Sequence, residues 1–347
     1  MRALVFGARG AVGSAASAAL RQNGHEVVGA GRRAPEDGVA IDASTSAGRA
    51  RLRVEAARAD VVLDASGLES AAVQAAVGVT PLVDVSATAL HLERLATGVP
   101  EGGAVLLGAG IAPGLSTVLI RALDPQPGEE IDVAIMLGAG EAHGPAAVEW
   151  TMRLAGDDVY AAPEAYPVAN LRSRRKFPLL DGTLREHLRA DFPDDLLVGR
   201  PLGVGVRSWL ALDSRLATAA LRLVGAVPSL APLLRHAPHL GGEAWSVTAV
   251  KRGSTRPLTA TGEGQSGATG RLAAIAAERL VELQLRGAVT TADAVRFDEL
   301  ERAGDIRVTG MSAIGAEVDG SKGAFHNSKR YRRHRFPQPI GQRRSLS

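Results

Sequence analysis

The sequence predicts an α/β fold, with an N-terminal doubly wound parallel sheet followed by a second, α+β domain. Three observations carry this expectation. A glycine turn sits between a strand and a helix within the first thirteen residues. Short apolar runs then alternate with helical stretches to about residue 127, and beyond that point the strands change to an apolar/polar alternation. A chain of 347 residues exceeds the size at which one core usually stops growing, so two domains are expected.

The first strand, Met1-Arg-Ala-Leu-Val-Phe6, runs into Gly7-Ala-Arg-Gly10-Ala-Val-Gly13, which opens a small-residue helix to about Asn23. Such a turn brings backbone N–H groups up to a diphosphate with no Cβ in the way, and the helix N-terminus adds partial positive charge. Gly7, Ala8, Arg9, Gly10, Ala11, Val12 and Gly13 are therefore candidate dinucleotide contacts. Further strands follow at Glu26–Ala30, Val39–Asp42, Val61–Ala65, Pro81–Val85 and Ala104–Gly108. Helices are expected near Ala47–Arg58, Glu69–Ala76 and Thr88–Ala96. Six strands in this rhythm give two mononucleotide-binding halves, a Rossmann domain, with the crossover near the ends of strands one and four.

The end of the second strand selects the nucleotide. An acid there would read an unphosphorylated ribose, but this strand runs out through Gly29-Ala-Gly31 into Arg32-Arg33. Two guanidiniums at that point, with Arg9 in reach, match a 2′-phosphate in geometry and charge, so NADP is the expected cofactor. Asp42 is left for the adenine side.

Composition narrows the remaining classes. No run of eighteen apolar residues occurs and Arg2 precedes the first strand, so neither a signal peptide nor a spanning helix is expected and a cytoplasmic location is. With no cysteine there is no disulfide scaffold, thiolate nucleophile or thiolate zinc site, and the eight histidines show no metal spacing. The net charge is only +3, and much of the basic excess lies in segments such as Asn327-Ser-Lys-Arg-Tyr-Arg-Arg-His-Arg. Residues 319–347 read as a disordered basic tail whose contact with nucleic acid or acidic lipid would be non-specific.

The second domain begins near Gly128. Its strands are expected at Ile131–Leu137, Ala244–Val250 and Arg256–Thr261, in an antiparallel or mixed sheet exposed on one face. Helices are expected from Pro145 to Gly156 and from Thr269 to Leu283. Leu196–Leu240, rich in leucine and alanine, reads as two or three short helices that wall a pocket or form a subunit contact. The expected division is 1–127, 128–286, a return segment 287–318 packing on the first domain, and the tail.

Five segments together carry a resemblance: the opening turn, Leu63-Asp-Ala-Ser-Gly67, Leu82-Val-Asp-Val-Ser86, Gly108-Ala-Gly-Ile-Ala-Pro-Gly-Leu-Ser116 and Gly138-Ala-Gly-Glu-Ala-His-Gly144. Over roughly residues 1–315 the chain resembles the saccharopine dehydrogenase-like oxidoreductases, and Gly287-Ala-Val-Thr-Thr-Ala-Asp-Ala294 is similar to their late return segment. The resemblance implies a nucleotide-binding domain, an inserted α+β substrate domain, usually a homodimer, and hydride transfer to or from a small organic substrate. It leaves the substrate open. Members that reduce an amino-acid imine hold carboxylates with arginines of the second domain. Arg153 and Arg185 are candidates here, beside Arg172, Arg174 and Arg175. No acid/base lysine–histidine pair is found, since Lys176 and Lys251 are the only lysines before the tail. A substrate less anionic than saccharopine is expected.

Hydride chemistry on an imine, carbonyl or activated alkene needs a floor for the nicotinamide and a proton donor. Strand ends four, five and six should build the floor from Ala65, Ser66, Gly67, Asp84, Val85, Ser86, Gly110 and Ile111. His143 is the first candidate donor, because its ordinary pKa is near neutral and glycines flank it. Asp84 is the second, and Thr88 orients substrate or caps a helix. His91 is expected on the outer face of its helix. Two other readings remain open: a non-catalytic nucleotide-binding or scaffold protein, and a reductase acting in trans on a lipidic or polyketide-like substrate held by Leu196–Leu240.

Overall fold

The computed structural model describes residues 1–310 apart from 36–37, 142–144, 160–162, 165 and 237–240. The expected tail therefore lies outside the described residues, as does His143. Residues 1–310 form one compact unit.

The N-terminal elements are β1 (Arg2–Phe6), α1 (Ala11–Gln22), β2 (Glu26–Gly31), β3 (Val39–Ala40), α2 (Ser46–Ala56), β4 (Val61–Asp64) and α3 (Ala71–Val77), then β5 (Leu82–Asp84), α4 (Ala89–Thr97), β6 (Ala104–Leu107) and α5 (Leu115–Ala122). Next come β7 (Glu130–Leu137), α6 (Pro145–Leu154), β8 (Asp158–Val159), β9 (Val168–Ala169), β10 (Arg174–Pro178) and β11 (Leu184–Arg189). A π-helical turn, Asp195–Gly199, leads through α7 (Arg200–Leu202) to β12 (Gly205–Leu212) and α8 (Arg215–Ala226). The chain ends with β13 (Ala244–Lys251), β14 (Leu258–Glu263), α9 (Gln265–Glu282), β15 (Gly287–Thr290), α10 (Thr291–Ala294) and β16 (Arg307–Thr309).

The first sheet has the order β15-β6-β5-β4-β1-β2-β3, and every pair in it is parallel. Its strands are solid apolar runs, Ala3 to Phe6 and Val61 to Leu63 being fully buried, as helices on both faces require. The crossover falls between β1 and β4. A seventh strand, β15, joins by pairing with β6, from Gly287↔Ala104 to Thr290↔Leu107. α9 also returns to this sheet, packing along α1 so closely that a Cβ on Gly270 would lie 2.5 Å from the Val12 carbonyl.

The second sheet is mixed, ordered β10-β11-β12-β7-β13-β14-β16. It corrects the reading of Leu196–Leu240 as helices alone. Gly205–Leu212 is a central strand paired in parallel with the whole of β7. Its alternation, Val206, Ser208 and Leu210 against Arg207, Trp209 and Ala211, was masked by the leucine- and alanine-rich surroundings. Nor is the sheet half exposed throughout. β13 alternates buried and half-buried residues, but Ala134, Phe177 and Trp209 are buried together on the second face, and Asp132 beside them accepts from Trp209 Nε1 at 2.8 Å.

Candidate functional site

Three glycines open the site and each does something different. Gly7 (φ +89°) lets the chain turn out of β1 while its N–H and that of Ala8 donate to the Ala30 carbonyl at 2.8 and 3.2 Å. A Cβ on Gly7 would stand 2.4 Å from the Ala65 carbonyl oxygen, and one on Gly13 2.3 Å from the Gly7 carbonyl oxygen. Both positions are closed by the protein's own backbone. Gly10 is different: it is exposed, it has ordinary extended torsions (φ −74°, ψ 161°), and an added Cβ would meet only the Gly7 oxygen at 3.3 Å. Gly10 precedes α1, whose N-terminus has no side-chain cap and no acid in its first turn. An open helix N-terminus with a bare backbone before it is a fit for a pyrophosphate.

At the end of β2, Arg32 and Arg33 are exposed, and Arg9 is exposed in the turn. Asp42 Oδ1 accepts from the Ser44 hydroxyl (2.6 Å) and N–H (3.1 Å). These bonds, with Arg32 adding its charge, hold Asp42 below the usual carboxylate range.

The neighbouring strand ends carry a repeated device. Asp64 and Asp84 are register partners on β4 and β5. Each closes the turn after its strand, Ser66 N–H donating to Asp64 Oδ1 at 2.9 Å and Ser86 N–H to Asp84 Oδ1 at 2.8 Å. Ala65 N–H donates to Phe6 O and Ala109 N–H to Asp84 O, both at 2.8 Å, and Val85 N–H to Asp64 O at 3.3 Å, so the ends of β1, β4, β5 and β6 are tied in series. Gly110 N–H donates to Pro113 O, and Ile111 is buried behind it.

His91 is a correction: it faces inward, buried, with Nε2 3.4 Å from Asp84 Oδ2. Burial alone would lower its pKa. The Asp84 bond and the charges of Asp84, Glu69 and Asp64 outweigh that and raise it. Asp64 is pushed up to about 7, first by complete burial and then by the Asp84 carboxylate. Asp64 and His91 were not given roles from sequence, although the repeated Asp-x-Ser of Asp64-Ala-Ser66 and Asp84-Val-Ser86 was the available signal.

At the rim, the Thr88 hydroxyl donates to Glu69 Oε1 at 2.6 Å. Arg153 reaches over from α6 to donate to the Thr88 hydroxyl oxygen at 3.3 Å and to approach Glu69 Oε2 at 3.6 Å, with half of its side chain exposed. The structure thus brings Thr88 and Arg153 together, and adds Glu69. Arg185 is elsewhere, buried in β11, donating to the carbonyl oxygens of Leu212 (2.7 Å) and Asp213. The Glu141 carboxylate accepts from the N–H groups of Gln265 (2.7 Å) and Ser266 (3.0 Å) at the start of α9. Among the described residues no cluster of acids and histidines is arranged to hold a metal ion, and no helix is long and apolar enough to cross a membrane.

Residues 3–83 match the family of NAD dependent epimerases/dehydratases. No protein of curated function matches the chain. Similar solved structures include a substituted meso-dapdh from Clostridium tetani with DAP, 14% identical over 86% of this chain and 95% of that one, TM-score 0.47. Another is the WlbA (WbpB) dehydrogenase from Thermus thermophilus with NAD and UDP-GlcNAcA, 13% identical over 88% and 92%, TM-score 0.37. A third is aspartate semialdehyde dehydrogenase II from Vibrio cholerae with ASA, 9% identical over 76% and 74%, TM-score 0.33. The parallel sheet, its glycine turn and the match over residues 3–83 together make the N-terminal domain a Rossmann fold of the NAD(P)-binding, epimerase/dehydrogenase-like kind.

Proposed function

We propose that the protein is an NADPH-dependent oxidoreductase of the saccharopine dehydrogenase-like type, acting on a small organic substrate with an imine, carbonyl or activated alkene. The observation that carries the reading is the uncapped N-terminus of α1 behind an exposed Gly10, whose missing side chain leaves room for a pyrophosphate. Arg32 and Arg33, with Arg9, supply the charge for a 2′-phosphate, and residues 29–33, where the strand runs out, carry no acid to read a free ribose.

NADPH held there would supply a hydride to the substrate. The protein's part is to position and to exclude water. The turns at Ala65-Ser66-Gly67 and Val85-Ser86, held by Asp64 and Asp84, form the floor beside Gly110 and Ile111. Asp84 and His91 are buried one layer behind it and hold a proton between Oδ2 and Nε2, which keeps that turn fixed rather than touching substrate. The Thr88 hydroxyl orients the substrate at the rim. Arg153, half exposed beside Glu69 and Thr88, takes a substrate carboxylate. His143 is the proposed donor of the product proton. Arg185 contributes by fixing the end of β12.

Titration of the full chain with NADPH and NADH, followed by nicotinamide fluorescence, tests the reading. NADPH should bind the more tightly, and oxidation of bound NADPH by a panel of imines, ketones and enoyl compounds should identify the class. Absence of NADPH binding removes the proposal.

A further inference from the structure

α8 is apolar on two sides. Thr218, Leu221, Val224 and Gly225 face the body of the protein and are buried. On the opposite side Leu216 is 77% exposed and Leu223, seven residues on, 55% exposed. Val227, just past the helix end, is 42% exposed, and Leu233, in the turn that follows, is 64% exposed. A helix needs one apolar face to pack, so this second stripe has no part in holding the fold.

Arginines flank the stripe. Arg215 and Arg222 precede Leu216 and Leu223 at the same seven-residue spacing, and both are exposed. Arg172 and Arg174 come in from the start of β10 and the residues just before it, and between them and the helix lies an open cavity of about 540 Å³ lined by Arg172, Arg174, Ala219, Arg222, Leu223 and Ala226. Arg172 lies over the C-terminal end of α8, donating to the carbonyls of Gly225 (3.2 Å) and Ala226 (3.3 Å). Glu186, 3.3 Å from Arg174 and 3.6 Å from Arg222, is the acid that meets these cations, so the cavity keeps a positive excess.

We propose that this outer face of α8, with the arginine cavity beside it, docks on an anionic phospholipid bilayer. Charge decides among the occupants. A second copy related by a two-fold axis would set Arg215 and Arg222 against their own equivalents, and the chain's C-terminal segment, with Lys329, Arg330, Arg332 and Arg333, carries the same sign. The occupant must be negative and must also cover exposed leucines. A cavity of this size takes one headgroup rather than a partner's helix, while the stripe stands on the exposed side of α8, where it can enter an interface. Leucines pointing into the acyl boundary, with arginines reaching sideways to phosphates, is the arrangement of an interfacial helix.

The test is co-sedimentation of the full chain with phosphatidylcholine vesicles and with mixed phosphatidylcholine–phosphatidylglycerol vesicles, at low and high salt. The protein should pellet with the anionic vesicles and be released by salt. Leu216→Ser with Leu223→Ser, and separately Arg174→Gln with Arg222→Gln, should each weaken partitioning at least about tenfold. Both pairs keep the basic C-terminal segment and the inner face of α8, and NADPH affinity together with circular dichroism reports that they are folded. Equal pelleting with both kinds of vesicle overturns the proposal. So does unchanged partitioning of the variants, and so does a change in their oligomeric state without a change in vesicle binding, which would assign the face to a second copy.

Discussion

Gly10 and Gly13 are three residues apart and should fail in opposite ways when enlarged. At Gly10 the torsions suit any residue and the new Cβ asks the Gly7 carbonyl to give by only a few tenths of an ångström. A non-capping residue before α1 costs about 0.5–1 kcal/mol, partly offset by about 0.4–1 kcal/mol from the reduced freedom of the unfolded chain. Gly10→Val should therefore shift stability by less than about 1 kcal/mol, or less than about 2 °C in melting temperature for a unit of this size. Its side chain stands where the pyrophosphate would meet the backbone, so NADPH affinity should fall beyond about a hundredfold, or about 2.7 kcal/mol. At Gly13 a Cβ would lie 2.3 Å from the Gly7 oxygen and 2.8 Å from its carbonyl carbon, which only a shift of the turn or of α1 can relieve. Gly13→Ala should cost about 1–3 kcal/mol or more, as overpacking does. Thermal melts monitored by circular dichroism, paired with a fluorescence titration of NADPH, separate the two outcomes. A Gly10→Val protein that melts normally and still binds NADPH would show that the turn is only a packing device.

The cofactor choice rests on Arg32, so Arg32→Asp should erase or reverse a preference for NADPH of at least about tenfold, and equal affinities for both nucleotides in the unaltered protein would refute it. Asp194 is fully buried, and burial pushes its pKa up to about 6 against the bonds from Ser116 (2.5 Å) and Ser208 (3.1 Å). A folded pKa above the unfolded one gives stability that is present below about pH 4 and lost as pH rises through about 6, on the order of 3 kcal/mol over the two-unit gap. Denaturant melts should therefore show Asp194→Asn gaining on the unaltered protein between about pH 4 and pH 7, and a pH-independent difference would count against a raised Asp194.

How much was legible depended on whether the signal was local. The turn from Phe6 to Gly13 and the alternation that follows are contiguous, and each states its physics within a few residues. β15 is four residues, Gly-Ala-Val-Thr, and is a strand only because β6 offers it an edge. β10 and β11 were missed because Arg174, Arg175, Lys176, Arg185 and Glu186 make them look like solvated surface, whereas several of these charges are paired across the hairpin or with Asp132. His91 was misplaced for a related reason: its inward direction follows from a bond to Asp84, on another element, and not from the pattern of α4. Asp64 and Asp84 stood at matching positions in two similar segments, yet only their pairing in the sheet shows that they share an environment. Arg185 had the right residue type, but its guanidinium is occupied by the carbonyls at the end of β12.

The path of the chain after β14 has a consequence for how the molecule comes apart. The polypeptide leaves the second sheet at Glu263, runs α9 along α1, adds β15 to the edge of the first sheet, and then returns β16 to the second sheet beside β14. Neither sheet is the product of one continuous stretch. A single backbone cleavage between β14 and β15 leaves an N-terminal fragment without its seventh parallel strand and a C-terminal fragment holding one strand of each sheet. Such a seam couples the two layers in unfolding, because loosening the last fifty residues of this unit strips an edge from both at once. The first and second sheets are therefore expected to melt in one transition, and a ligand that tightens one will be felt in the protection of the other.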